Sequence, residues 1–98
     1  MNYIVLDLEW NQSADGKAYT NSRIPFEIIQ IGAVKLDENF SEISQFDRYI
    51  RPAVYTKLHD KVQEILNVTI EELTCIGHDF TYVANDFIRW CGDDYIFC

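Results

Sequence analysis

Tyr3-Ile4-Val5-Leu6 opens the chain as an unbroken apolar run, the pattern of a strand buried on both faces. Asp7-Leu8-Glu9-Trp10 continues it with two carboxylates set two positions apart. A polar stretch follows from Asn11 to Pro25, where Asp15-Gly16, Asn21-Ser22 and Pro25 predict a long loop, placed to flank a substrate cleft. Phe26 to Leu36 is rich in β-branched residues and predicts a second strand, with Gly32 marking a bulge or a close backbone approach. After a turn at Asp37-Glu38-Asn39, Ile43 to Arg51 predicts a third strand. Its alternation sets Phe46, Arg48 and Ile50 on one face and Asp47, Tyr49 and Arg51 on the other, and Pro52 ends it.

The period then becomes helical. Leu58, Val62, Ile65 and Leu66 predict a short amphipathic helix after Thr56. Thr69 and Glu72 fit a capping box, so a second short helix starts there. Phe80, Val83, Ala84, Phe87, Ile88 and Cys91 make the strongest stripe, a helix beginning near Asp79 or Thr81 and stopping at Gly92. Asp93-Asp94 reads as a turn, and Tyr95-Ile96-Phe97-Cys98 as the start of another buried strand. The order β-β-β-α-α-α-β, with the last strand able to run parallel to the first after a helical crossover, is the beginning of an α/β, ribonuclease H-like mixed sheet with flanking helices.

The candidate chemistry lies on the first strand. Side chains alternate along a strand, so Asp7 and Glu9 share one face near its C-terminal end, where open α/β sheets bind ligands. If buried, two adjacent carboxylates require a cationic partner. No Lys or Arg occurs in the first sixteen residues, which makes a divalent metal the simplest one. The plain alternative is a frayed strand end whose acids face water.

Composition narrows the class. A hydrophobic share of 48% suits a packed core and argues against a disordered chain. The formal charge of −8 counts against nonspecific binding to nucleic acid, although a bound divalent ion can attract phosphate locally. Cys75, Cys91 and Cys98 are odd in number and lack paired spacing, which favours reduced thiols over a disulfide framework or a zinc site. No stretch is long enough to span a membrane and no signal segment precedes Asp7, so the expected location is the cytoplasm.

Asp7-Leu8-Glu9 after an apolar strand, a loop, and then Pro25-Phe26-Glu27-Ile28-Ile29-Gln30-Ile31-Gly32-Ala33-Val34 resembles the first motif and second strand of the DEDD 3′–5′ exonucleases. Tyr49-Ile50-Arg51-Pro52, Leu58, Val68-Thr69 and Phe87-Ile88-Arg89-Trp90 are similar to the branch that trims small RNAs and histone-messenger 3′ ends, and to bacterial sporulation-inhibitor homologues. The resemblance covers essentially the whole chain. It implies hydrolysis of phosphodiester bonds at single-stranded RNA or DNA 3′ ends by two Mg²⁺ or Mn²⁺ ions about 4 Å apart. On this resemblance Asp7 and Glu9 are the catalytic metal ligands, and Trp10 and Asn11 contact the terminal nucleotide, with Trp10 free to stack on a base.

Family members also need a second-motif aspartate after the fourth strand and a third motif with a catalytic histidine and another aspartate. The chain ends at Cys98, before these. His59 and His78 fall in the helical middle and read as solvent or turn histidines, and Cys91 as core. Residues 1–98 are therefore expected to be the N-terminal part of a single domain, cut after the fourth strand and inactive alone. Its exposed edge would pair with a second copy. The alternative is a non-catalytic exonuclease-like module that binds a regulatory protein partner. A glycosidase pair at Asp7 and Glu9 is disfavoured, since such carboxylates usually come from separate strands.

Overall fold

A computed structural model describes residues 1–98. Strands β1 (Asn2–Asn11), β2 (Glu27–Leu36) and β3 (Glu42–Tyr49) form an antiparallel meander. Helices α1 (Asp60–Leu66), α2 (Ile70–Ile76) and α3 (Phe80–Cys91) follow, and β4 (Tyr95–Phe97) returns parallel to β1, giving the sheet order β3-β2-β1-β4. The element order is the one the sequence predicts. A short 3₁₀ turn at Lys17–Tyr19 inside the first loop adds to it.

Local chemistry explains the helix ends. Thr69 caps α2 and Glu72 bonds back to the Thr69 amide, completing the expected box. The start of α1 is set by His59, whose Nδ1 accepts the Lys61 N–H, and its end by Asn67 in the left-handed conformation. Three stripe residues fall outside the packing: Ile65 is 70% exposed, Ile88 is 65% exposed and Phe80 is 51% exposed. Leu58, just before α1, is buried and the partly buried Val62 and Leu66 of α1 pack with it, and in α3 Trp90 takes the inward place assigned to Ile88.

One face of the sheet is covered by α3. Ile4, Ile31, Ala33, Phe46 and Ile50 pack there against Val83 and Cys91, with Leu6, Leu8, Phe87 and Trp90 at the margin. Trp90 is held by its ring N–H on the Ser44 hydroxyl at 2.8 Å and by the Lys35 ammonium 4.6 Å over the ring. A second, smaller core joins Ile29, Leu58 and Leu73. The two cores meet at an irregularity where Glu9 pairs with Gln30 but Trp10 pairs with Ile28, so Ile29 is an extra residue on β2. Ile28 therefore packs with the first core and Ile29 with the second. The bulge sits here and not at Gly32, where an added Cβ would meet the Asp7 carbonyl at an ordinary 3.5 Å.

The expectation that β1 is buried on both faces is overturned. Ile4, Leu6 and Leu8 face the α3 core, but Val5 is 44% exposed and Asp7 is exposed, because no helix lies across that half of the other face. Nor is β4 a buried strand: it lies at the sheet edge, and Ile96 and Phe97 are each 48% exposed.

Burial pushes the Cys91 thiol above its ordinary value of 9.0, with Lys35 pulling the other way. The folded state thus holds this proton more tightly than the unfolded chain, and the stability it confers is intact below pH 9.0 and lost as pH rises through the folded value. The melting temperature is expected to fall above about pH 9 more steeply in the wild type than in Cys91→Ala. In the native protein a thiol reagent should titrate exposed Cys75 and Cys98 and leave Cys91 until unfolding. Three fast thiols would contradict this.

Candidate active site

Strand alternation and register bring the acidic groups to the open face. Asp7 and Glu9 point away from the α3 core, Asp7 opposite Gly32 and Glu9 opposite Gln30. On β3, Asp47 lies opposite Gly32 and Tyr49 opposite Gln30, and the Gln30 amide donates to Asp47 Oδ1 at 2.9 Å. With no side chain at Gly32, the space between Asp7 and Asp47 stays clear across the middle strand. Asp7 is exposed and Glu9 half-buried, and neither carboxylate makes a hydrogen bond or an ion pair.

This solvation corrects one step of the sequence argument. Burial does not force a cation between Asp7 and Glu9, because water reaches them from the uncovered face. The donor set nevertheless fits a hard cation. Two unpaired carboxylates on one face of a rigid strand match a Mg²⁺ or Mn²⁺ site completed by water and substrate oxygens. No group of three or more Asp, Glu, His or Cys side chains converges anywhere in the chain, so Asp47 stands apart from the pair.

Trp10 and Asn11 take different places. Trp10 is 51% exposed at the end of β1, paired with Ile28 on the face opposite Asp7 and Glu9, and its ring lies 6.2 Å from that of Phe26. Asn11 is fully buried, its amide donating to the Lys57 carbonyl at 2.9 Å while its oxygen accepts the His59 N–H at 2.9 Å. A direct contact between that side chain and a nucleotide would break both bonds. Its visible work is to tie the segment before α1 to the strand that carries the carboxylates.

Glu27 does a comparable job. It is buried, and its carboxylate accepts the N–H groups of Ala53 and Val54 at 2.8 and 2.9 Å and of Tyr55 at 3.4 Å. Tyr55 then donates its hydroxyl to the carbonyls of Ile24 and Pro25 and accepts the Asn21 N–H, so one carboxylate organises both loops beside the strand end. A single Glu between Phe26 and Ile28 at the start of a buried strand was the available signal. Neither histidine joins the carboxylates: His59 is the α1 cap and His78 bridges to Ile50 through its backbone.

Among solved structures, the nuclease domain of 3′hExo, described as a DEDDh family member bound to rAMP, superposes with a TM-score of 0.77 at 20% identity, over 98% of this chain and 50% of that one. Cell-death related nuclease 4 gives 0.74 at 21% identity, over 98% and 33%. Exonuclease I of E. coli in complex with an oligonucleotide gives 0.69 at 15% identity, over 98% and 20%. The chain thus spans half or less of the length of these structures. A search of curated protein sequences gives no match. These likenesses carry the fold, a ribonuclease H-like mixed sheet, and the family rests on sequence. The RNase T family model, described as an exonuclease, matches residues 4–97, so the chain belongs to the exonuclease family.

Proposed function

We propose that this chain forms the part of a metal-dependent 3′–5′ exonuclease site that carries Asp7 and Glu9, acting on single-stranded RNA or DNA ends. The observation that carries the reading is the pair of unpaired carboxylates on the open face of the central strand, in a chain of exonuclease sequence. Divalent ions held there would supply charge neutralisation at the scissile phosphate and activation of the attacking water. Asp7 and Glu9 would hold the ions from one rigid face, Gly32 keeps the neighbouring position clear, and Asn11 fixes the adjoining loop. Relatives described with rAMP, with a histone mRNA stem-loop and with an oligonucleotide support nucleic acid as the substrate class. No helix is long and apolar enough to cross a membrane.

By themselves the 98 residues are proposed to be inactive, since two carboxylates without a nearby general base cannot complete the reaction. The intact gene product with Mg²⁺ is expected to shorten a 5′-labelled oligonucleotide from its 3′ end. Asp7→Ala should slow this by at least two orders of magnitude, about the scale of losing a metal-anchoring group. Unchanged trimming in that variant refutes the assignment. The rival reading is a non-catalytic module of the same fold that binds a regulatory protein partner. That rival predicts no trimming by the intact product under any divalent ion.

A further inference from the structure

The positive charge of this acidic chain is unevenly placed. Of eight Lys and Arg residues, Lys17, Arg23, Lys57 and Lys61 lie on the two segments that meet beyond the C-terminal end of β1. Between those segments opens a cavity of about 520 Å³, lined among others by Gln12, Ser13, Lys17, Thr20, Phe26 and His59. None of its lining residues is acidic, in a chain with sixteen Asp and Glu.

Its donors are available. Lys17 makes no ion pair, whereas Lys57 is engaged by Asp15 at 3.5 Å. His59 spends its Nδ1 lone pair on the Lys61 N–H, which puts the ring proton on Nε2 and leaves that N–H as the free donor. The Ser13 hydroxyl accepts the Asp15 N–H and retains its own proton to donate. Phe26 contributes an apolar wall, 55% exposed. An ammonium, a ring N–H and a hydroxyl around an opening without carboxylates are the complement of a phosphate oxygen.

We propose that this cavity seats a phosphodiester of a single-stranded nucleic acid, with Lys17 and His59 as its recognising residues. The inference builds on the nuclease reading of Asp7 and Glu9 and adds a second anchoring point to it. Asn11 links the two sites, because it follows Glu9 by two residues and holds the His59 backbone. Gln12, at the cavity, is three residues past Glu9, roughly 10 Å along an extended chain. A strand whose end lies at the carboxylates reaches the cavity with a neighbouring nucleotide.

The test titrates the 98-residue chain against a fluorescein-labelled oligouridylate of about eight nucleotides, by anisotropy, across a salt series. Lys17→Glu is expected to weaken binding about tenfold and to flatten the slope of log affinity against log salt by about 0.7. His59→Asn keeps a good cap, replaces the ring Nε2–H with a shorter amide that does not reach as far into the cavity, and should weaken binding about threefold. Lys61→Glu changes the net charge equally from outside the cavity and should stay within about twofold. The proposal is overturned if the wild type does not bind, if Lys17→Glu binds like wild type, or if Lys61→Glu is equally damaging. Trimming that depends on Asp7 alongside an indifferent Lys17→Glu would sink this site alone. Absent trimming with a discriminating Lys17→Glu would sink the nuclease reading and leave the phosphate site standing.

Discussion

Gly77→Ala is expected to destabilise the protein by about 3 kcal/mol, a large share of the roughly 5–15 kcal/mol that holds a chain of this size together. The backbone at Gly77 is ordinary, with φ of −76°, so conformational freedom is not the issue. Space is. A Cβ there would lie 2.6 Å from the Arg51 nitrogen, 2.6 Å from the Leu73 carbonyl oxygen and 2.8 Å from the Ile50 carbonyl carbon, all backbone atoms unable to swing away. Residues 77–79 run against the end of β3, where the Arg51 N–H donates to the His78 carbonyl and the His78 N–H to that of Tyr49. The Arg51 side chain adds bonds to the carbonyls of Thr74 and Gly77 and to Asp79. A methyl group forces these apart and loosens the start of α3 from the sheet. The control is Gly32→Ala, whose Cβ meets only an ordinary contact and should change stability by less than about 1 kcal/mol. Urea midpoints of the two variants measure the contrast, and a Gly77→Ala midpoint no lower than that of Gly32→Ala would refute it.

Glu27→Ala should cost about 3 kcal/mol, because it strands three backbone N–H groups that share one carboxylate in a partly buried site. Glu27→Gln keeps the shape and one acceptor oxygen and should cost about 1 to 2 kcal/mol. The damage should also travel. Once Ala53 to Tyr55 are released, Tyr55 no longer holds the carbonyls of Ile24 and Pro25, and amide resonances of residues 21–24 and 53–55 should shift together in a nitrogen-15 correlation spectrum. A Glu27→Ala protein with native stability, or with changes confined to residue 27 and its neighbours in sequence, would show that the carboxylate is not the anchor.

Strand and helix order was legible because each element has a clean local signature: the Thr69–Glu72 box, Gly92 after the α3 stripe, Pro52 after β3. Placement of Asp7 and Glu9 on one face followed from alternation alone. What local pattern does not encode is how many layers cover a sheet. Val5 and Asp7 therefore read as interior when only the Ile4, Leu6, Leu8 side is packed. Long-range partners were equally hidden. Glu27 meets residues 26 to 28 positions away and Asn11 residues 46 and 48 away, so neither bond leaves a mark at short spacing. Gly32 drew attention as the strand glycine, yet the irregularity fell at Ile29, a residue typical of regular strands.

Because Asp7 and Glu9 hold nothing else in place, neither acid contributes a bond that folding requires. A preparation disabled at both positions would purify, scatter light and give spectra like the native material. For this protein, then, correct shape is no certificate of competence, and only a measured reaction separates a living site from a dead one.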